Sequence, residues 1–406
     1  MSFSPTASDA GRNAALCMLG GALLCYGFAA FGWMGLPTQV AFVAMLAGAL
    51  WSLAALRDAR ARWLIAIVLV LVVIALGSPT DEWDPRSIWL FHARRIFLDG
   101  TLYAQLDGYA PFSHNDYPTL VPLLMATSAK LVGHWNELFP KAAATLLLLP
   151  ALLLIARTLR AWWVAALFAF VVLKVGGTWL ADGYMDALVG VYAVASLATA
   201  LSLVRGPAGP GRWKDVLAYV LVTAVLGLTK NEGLVLAVLV AVAVTATHLL
   251  HARRFARVLP VAVLVALLPL LAWKLTLSAA QMGNDLASSD LKGQLLARLP
   301  NLSASLLILK KLFRDLALLP LLVMLVCWRR TWGSSAVLAA AVAGLAYAAV
   351  LHLVYLGTPH DLSWHLATSA SRTVVPVMLL LMYGLLVLID EWRSPNALPS
   401  GEREHA

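Results

Sequence analysis

The segment Thr80-Asp81-Glu82-Trp83-Asp84-Pro85-Arg86 puts three carboxylates just past an apolar run, Trp63 to Gly77. A carboxylate held at such a boundary can take a proton from a hydroxyl as a general base. Asp84 also has a structural use, because Asp followed by Pro is a favourable helix start with the acid as N-cap. The two uses are compatible, since a capping carboxylate can still face a substrate.

Four further groups carry chemistry. His114-Asn115-Asp116-Tyr117-Pro118 closes the same stretch. Lys174, Asp182 and Asp186 flank a Gly176-Gly177 turn, and Asp186 opens an apolar run. An acid at membrane depth is costly and is by default a functional candidate, although an interfacial cap is the simpler use. Lys230, Asn231 and Glu232 interrupt what would otherwise be one long apolar stretch. A tight turn accounts for Asn231 and Gly233, while Lys230 and Glu232 suit an ion pair. His360, Asp361, His365 and Arg372 come last. The spacing of the two histidines and the aspartate matches no standard metal-ligand pattern. Arg372 suits bidentate phosphate contact, and Lys230 suits a point-charge contact.

These residues need a membrane scaffold. Hydrophobic residues make up 61% of the 406 and charged residues 13%, with a mean hydropathy of +0.81. That composition predicts an all-α, polytopic transmembrane bundle. Continuous apolar runs argue against a β-barrel. The net charge of +9 reads as membrane orientation and not as a nucleic-acid surface. Cys17, Cys25 and Cys327 form no disulfide or metal framework. The apolar stretch after Arg12 reads as a retained first helix, because no cleavage site is followed by a soluble domain.

Apolar runs fall near 14–33, 38–56, 63–77, 138–156, 161–175, 184–204, 213–229, 231–250, 256–277, 311–328, 334–356 and 373–392, which predicts about 12 spans. The segment 117–133 is ambiguous. If it is an interfacial helix, every cluster of Arg and Lys between runs lands on one side, as the positive-inside rule requires. Both termini are then cytoplasmic. The outward segments are 78–137, 176–183, 230–232, 278–310 and 357–372, and they hold the candidate residues named above, with Lys174 and Asp186 at the edges of the spans that flank 176–183. The stretch Asp84 to Leu98 is expected as a helix on the membrane surface with its aromatics in the interface. Residues 1–392 read as a single transmembrane domain, and 393–406 as a disordered cytoplasmic tail.

The order of these motifs resembles the GT-C superfamily of integral-membrane glycosyltransferases. The string Trp83-Asp84-Pro85-Arg86-Ser87-Ile88-Trp89-Leu90-Phe91-His92-Ala93-Arg94 is similar to the start of that family's first juxtamembrane helix. Asp116-Tyr117-Pro118-Thr119-Leu120-Val121-Pro122-Leu123 resembles its proline-bearing second juxtamembrane helix. Ala181-Asp182-Gly183-Tyr184-Met185-Asp186 looks like its acidic start of a mid-chain span. Leu228-Thr229-Lys230-Asn231-Glu232-Gly233 is similar to a lysine-bearing turn of bacterial members. Thr368-Ser369-Ala370-Ser371-Arg372 adds an arginine suited to phosphate. The likeness covers roughly residues 60 to 375. It departs in having three spans before the acidic loop, where many relatives have one, and in lacking a C-terminal soluble domain.

The resemblance implies a polyprenyl-phosphate-sugar donor and a glycan, lipid or protein acceptor. It implies a bacterial inner-membrane protein with its active site facing the periplasm. Asp84 is the expected base, with Glu82 and Asp81 as alternates. His114, Asp116, Tyr117, Asp182, Asp186, Lys230, Glu232, His365 and Arg372 are the expected substrate contacts. These residues establish no cofactor, and a divalent metal ion is the one candidate. The chemistry is consistent with the residue types: inverting transfer needs a base for the acceptor hydroxyl and positive charge on the departing phosphate. The alternatives are a transporter or flippase of lipid-linked sugars, and a scaffold subunit whose acids are merely solvated. A transporter is expected to show repeats and broken helices at the midplane, and the sequence contains no repeat.

Overall fold

The computed structural model describes residues 7–102, 110–206, 209, 211–282, 291–313 and 316–393. Among these the chain is helical, with no strand. The first half contains α1 (Ala7–Ala30), α2 (Leu36–Trp51), α3 (Ala59–Gly77), α4 (Leu90–Asp99), α5 (Leu120–Val132), α6 (Leu138–Leu146), α7 (Leu148–Ala156), α8 (Trp162–Gly176), α9 (Trp179–Asp182) and α10 (Asp186–Arg205). The second half contains α11 (Arg212–Thr229), α12 (Asn231–Ala252), α13 (Val258–Ala279), α14 (Leu291–Arg298), α15 (Leu302–Leu312), α16 (Leu318–Val326), α17 (Trp328–Gly333), α18 (Ser335–Leu356), α19 (Leu362–Thr373) and α20 (Val375–Arg393).

Among the described residues, nine helical segments are long and apolar enough to cross a membrane. Three of the twelve expected runs differ. The run 161–175 becomes the shorter α8. The run 213–229 becomes α11, which opens on Arg212, Lys214 and Asp215. The run 311–328 is broken, because α15 ends at Leu312 and α16 has only 9 residues. The tail expectation lies outside the described residues beyond Arg393.

Helix pairs approach closely where small residues permit it. A Cβ on Gly21 of α1 would sit 2.7 Å from the Met45 backbone nitrogen of α2, so the α1–α2 hairpin depends on glycine there. Small residues play this part in membrane bundles, where burial from water cannot drive association.

The basic clusters gather at one end. Arg12 pairs with Asp9 at 2.7 Å and with Asp215 at 3.1 Å, and Arg157 reaches Asp215 at 3.5 Å. Arg60 pairs with Asp58 and donates to the Leu159 carbonyl. Asp390 accepts from the backbone N–H groups of Arg160 and Ala161. Arg205 faces Glu391 at 3.9 Å, and Arg330 stacks on Trp392 at 4.2 Å. Helices α10, α12 and α20 each run from this end to the other, where the motif residues lie.

The reading of segment 117–133 as a non-spanning piece agrees with α5, which is too short to cross; every residue from Leu120 to Ala129 is buried among α1, α2, α4, α6 and α11. One expectation about the 78–137 stretch needs correction, because the aromatics after Asp84 do not all sit in the lipid interface. Trp89 is 1% exposed and stacks on Tyr117 at 5.5 Å.

Candidate functional site

The expected N-cap role of Asp84 is not what the structure shows. Asp84 has helical backbone angles, φ −59° and ψ −47°, and its side chain makes no capping bond. The carboxylate instead pairs with the Arg372 guanidinium at the end of α19. The residues just after it, Pro85–Trp89, form a single π-helical turn. Such turns are rare and recur at functional sites.

Arg372 joins three elements. It holds Asp84, lies 4.0 Å from an Asp186 oxygen at the start of α10, and stacks 5.1 Å over the Tyr184 ring. The Tyr184 hydroxyl donates to Glu82 at 3.1 Å. Burial works against the guanidinium charge, but Asp186 and Asp84 outweigh it and hold the Arg372 pKa above its ordinary value.

The interruption between α11 and α12 supplies the next cation. Lys230 is buried and pairs with Asp186 at 2.8 Å and with Glu232 at 3.0 Å, so the expected Lys230–Glu232 pair is present. Burial works against the Lys230 charge, yet Asp186 and Glu232 win and keep its proton affinity well above the ordinary range. The turn itself depends on Gly233. A Cβ there would lie 1.9 Å from the Leu226 carbonyl oxygen, so the two helices meet only because that atom is absent.

The 111–119 stretch closes the site from the side. His114 adopts a left-handed φ of 53°, uncommon for a residue with a side chain, and its ring stacks on Tyr117 at 4.9 Å. The Lys230 ammonium lies 5.7 Å over the Tyr117 ring. Asp116 accepts from Asn231 at 2.6 Å. Its backbone carbonyl accepts from Trp273 at 3.2 Å and Lys274 at 3.3 Å of α13, and Lys274 also donates to Asn231 at 2.7 Å.

The structure therefore brings Asp84, Glu82, Asp116, Tyr117, His114, Asp186, Lys230, Glu232 and Arg372 into one connected cluster. Asp81 is exposed beside it. Asp182 stands apart on α9, where burial raises its carboxyl above the usual range. A Thr178 hydrogen bond and the Lys141 charge oppose that rise, and Glu82 and Asp81 add to it. His365 is one layer back. Its Nδ1 meets the Thr358 hydroxyl at 2.7 Å, and its ring contacts Tyr355 edge-on at 5.0 Å. Burial and the nearby His360 lower its basicity. Among the described residues, no group of three or more His, Cys, Asp or Glu side chains is arranged to hold a metal ion. Asp361 is used in capping α19, accepting from Trp364 N–H at 2.8 Å.

Sequence reasoning missed four members. Tyr184 sat inside a quoted motif without a role. Lys274 lay within an apolar run, and Tyr355 within another. Lys141, fully buried in α6, donates to the Ser78 and Pro79 carbonyls and so fixes the start of the acidic segment. A lone lysine in an apolar run was the available signal for Lys141 and Lys274.

Chemically, the cluster offers a carboxylate that can be freed from an arginine, a buried lysine and an aromatic floor. No protein-family model, curated protein or solved structure matches this chain.

Proposed function

We propose that the protein is an integral-membrane glycosyltransferase. It moves a sugar from a polyprenyl-phosphate carrier to an acceptor hydroxyl of a glycan, lipid or protein. The twelve-span GT-C-like arrangement belongs to this proposal, with α8, α11 and the α16–α17 region crossing in addition to the nine long helices. So does the location, with the acidic end facing the periplasm across the inner membrane of a bacterium.

The observation that carries the reading is convergence. Four segments distant in sequence, around Asp84, Asp186, Lys230 and Arg372, meet at the end of the bundle opposite the basic clusters. Transporters of lipid-linked sugars would be expected to gather polar groups near the midplane instead.

In the proposed reaction Asp84 takes the proton from the acceptor hydroxyl. The acceptor oxygen attacks the anomeric carbon as the bond from that carbon to the phosphate oxygen breaks, with inversion. The electron pair leaves with the polyprenyl phosphate, and Arg372 stabilises the charge that develops there. Without donor, Arg372 occupies the base. A phosphate that draws the guanidinium to itself exposes the Asp84 carboxylate. Lys230, paired with Asp186 and Glu232, offsets the negative charge of those two carboxylates behind the reacting atoms.

The test is transfer by purified, reconstituted protein supplied with labelled polyprenyl-phosphate sugar and envelope glycan, lipid and protein fractions. Label is expected in one fraction. Movement of labelled lipid between leaflets with no label in any fraction would establish the flippase reading instead.

A further inference from the structure

We infer that the lipid donor seats its chain in a leucine-lined groove between α12 and α13, and that Lys274 receives its phosphate at the groove's mouth. The inference rests on the proposed function and deepens it.

The groove has a volume of about 300 Å³ and is lined by Leu234, Leu264, Leu267, Leu268, Leu270 and Leu271, with Lys274 as its only other lining residue. From Leu264 to Lys274 an α-helix rises ~15 Å, about half of a ~30 Å hydrocarbon core. Lys274 lies near the motif-bearing end of α13, so the groove runs from mid-membrane to the site. It meets the site at Lys274, which bonds both the Asp116 carbonyl and Asn231.

Size alone does not single this groove out. An apolar hollow of about 390 Å³ on α1 is lined by Leu23, Leu24, Gly27, Phe28, Phe31 and Trp33. That hollow carries no charge. A chain with an anionic head is complementary only to a groove that ends on a cation.

The pairing of the site's cations points the same way. Arg372 serves Asp84 and Asp186, and Lys230 serves Asp186 and Glu232. Lys274 bonds only a neutral amide oxygen and a backbone carbonyl; the Asp116 carboxylate acts on it at longer range, and among the described residues it makes no ion pair. An ammonium held at membrane depth by neutral acceptors is incompletely compensated. A phosphate would complete it without breaking an existing ion pair. The first phosphate contact is therefore Lys274, reached before Arg372 leaves Asp84.

A polyprenyl monophosphate with a photoreactive group in its chain tests this in reconstituted membranes, whether or not transfer occurs. Labelling of α12 and α13 is expected. It should fall on the order of tenfold in Leu268→Trp, which fills a lipid-facing position of the groove, and in Lys274→Gln. Unlabelled polyprenyl monophosphate should compete. Equal competition by phosphatidylglycerol would mean a general lipid groove and would overturn the inference, as would labelling confined to other helices. Where transfer is observed, Leu268→Trp should raise KM for a long-chain donor by about tenfold more than for a short-chain analogue, whereas Lys274→Gln should raise both. Equal effects of Leu268→Trp on the two donors would also refute it. Absence of transfer in wild type, with photolabelling as expected, would refute the enzyme reading and leave the lipid site standing.

Discussion

Replacing Asp84 with asparagine should move turnover and donor affinity in opposite directions. The asparagine keeps the size of the side chain and loses the base. A positioned general base contributes ~10²–10⁴-fold, so kcat should fall on the order of 10²-fold or more. Donor binding should improve, and the reason lies in Arg372. In the resting protein the guanidinium holds the Asp84 carboxylate, and both side chains are largely shielded, at 17% and 18% exposure. A donor phosphate must compete with that carboxylate. Exchanging the charge-assisted bond (~1.5–3 kcal/mol) for a neutral one (~0.5–1.5 kcal/mol) removes about 1 kcal/mol of competition. That corresponds to a donor KM roughly fivefold lower. Asp186, 4.0 Å away, still gives Arg372 an anionic partner, so the variant should fold. Steady-state kinetics with donor varied at saturating acceptor separates the two quantities. Arg372→Lys keeps the charge and loses the planar fork. It should raise donor KM and lower kcat together, and Arg372→Ala more so. Wild-type kcat in Asp84→Asn at normal expression would remove Asp84 as base and move the role to Glu82 or Asp81. A donor KM that rises in that variant would refute the competition argument even if kcat falls.

Other consequences can be checked separately. Lys230→Met leaves buried Asp186 facing one less cation and should cost ~3–5 kcal/mol, with Lys230→Met/Asp186→Asn milder than the single change; melting of the detergent-solubilised protein measures both. Gly233→Ala forces a Cβ against the Leu226 carbonyl and should lower expression and melting temperature, while Gly209→Ala, where a Cβ meets open space, should not. His92 is buried in α4, and that burial pulls its pKa down from 6.5 to about 4, opposed by an Asn115 hydrogen bond. The unfolded chain binds the proton first as pH falls, so stability should drop by about 3 kcal/mol between pH 6.5 and 4. The drop should be largely absent in His92→Gln. An impermeant maleimide should label His134→Cys in intact cells and Arg254→Cys only after permeabilisation, and the reverse would invert the topology.

The sequence showed the helical membrane class and the meeting of acidic and basic motifs at one end. Charge patterning carries that information directly, because basic clusters recur at the loops of one side. Partner choice was not legible. Asp84-Pro85 reads locally as a cap, and only the packing of α19 supplies Arg372, 288 positions along the chain. The burial of α5 was hidden by its polar residues. Within it Thr127 donates to the Leu123 carbonyl and Ser128 to the Met125 carbonyl. Hydroxyls that bond back to their own helix can be buried at little cost. The break within the run 311–328 was not legible for the opposite reason. Hydropathy averages across a break, and α15 stops at Leu312, after Lys310 and Lys311 in its last turn.

In the proposed glycosyl transfer, the pairing pattern links binding to chemistry. A base that stays paired with Arg372 is held from its proton, and one that stays free would repel the incoming phosphate. The observed arrangement avoids both. Lys274 can meet the donor at the groove without disturbing the ion pairs. Arg372 then has a choice between Asp84, with Asp186 nearby, and a phosphate that gains negative charge as its bond to the sugar breaks. Its preference for the phosphate therefore grows along the reaction, where stabilisation accelerates the step most. A carboxylate that loses its cation and gains an anionic neighbour also holds a proton more readily. The same displacement that stabilises the leaving group thus turns an ion-paired carboxylate into a competent base. Donor binding should accordingly precede productive acceptor binding. An ordered pattern in product inhibition is expected, and a random one would separate Arg372 from the control of Asp84.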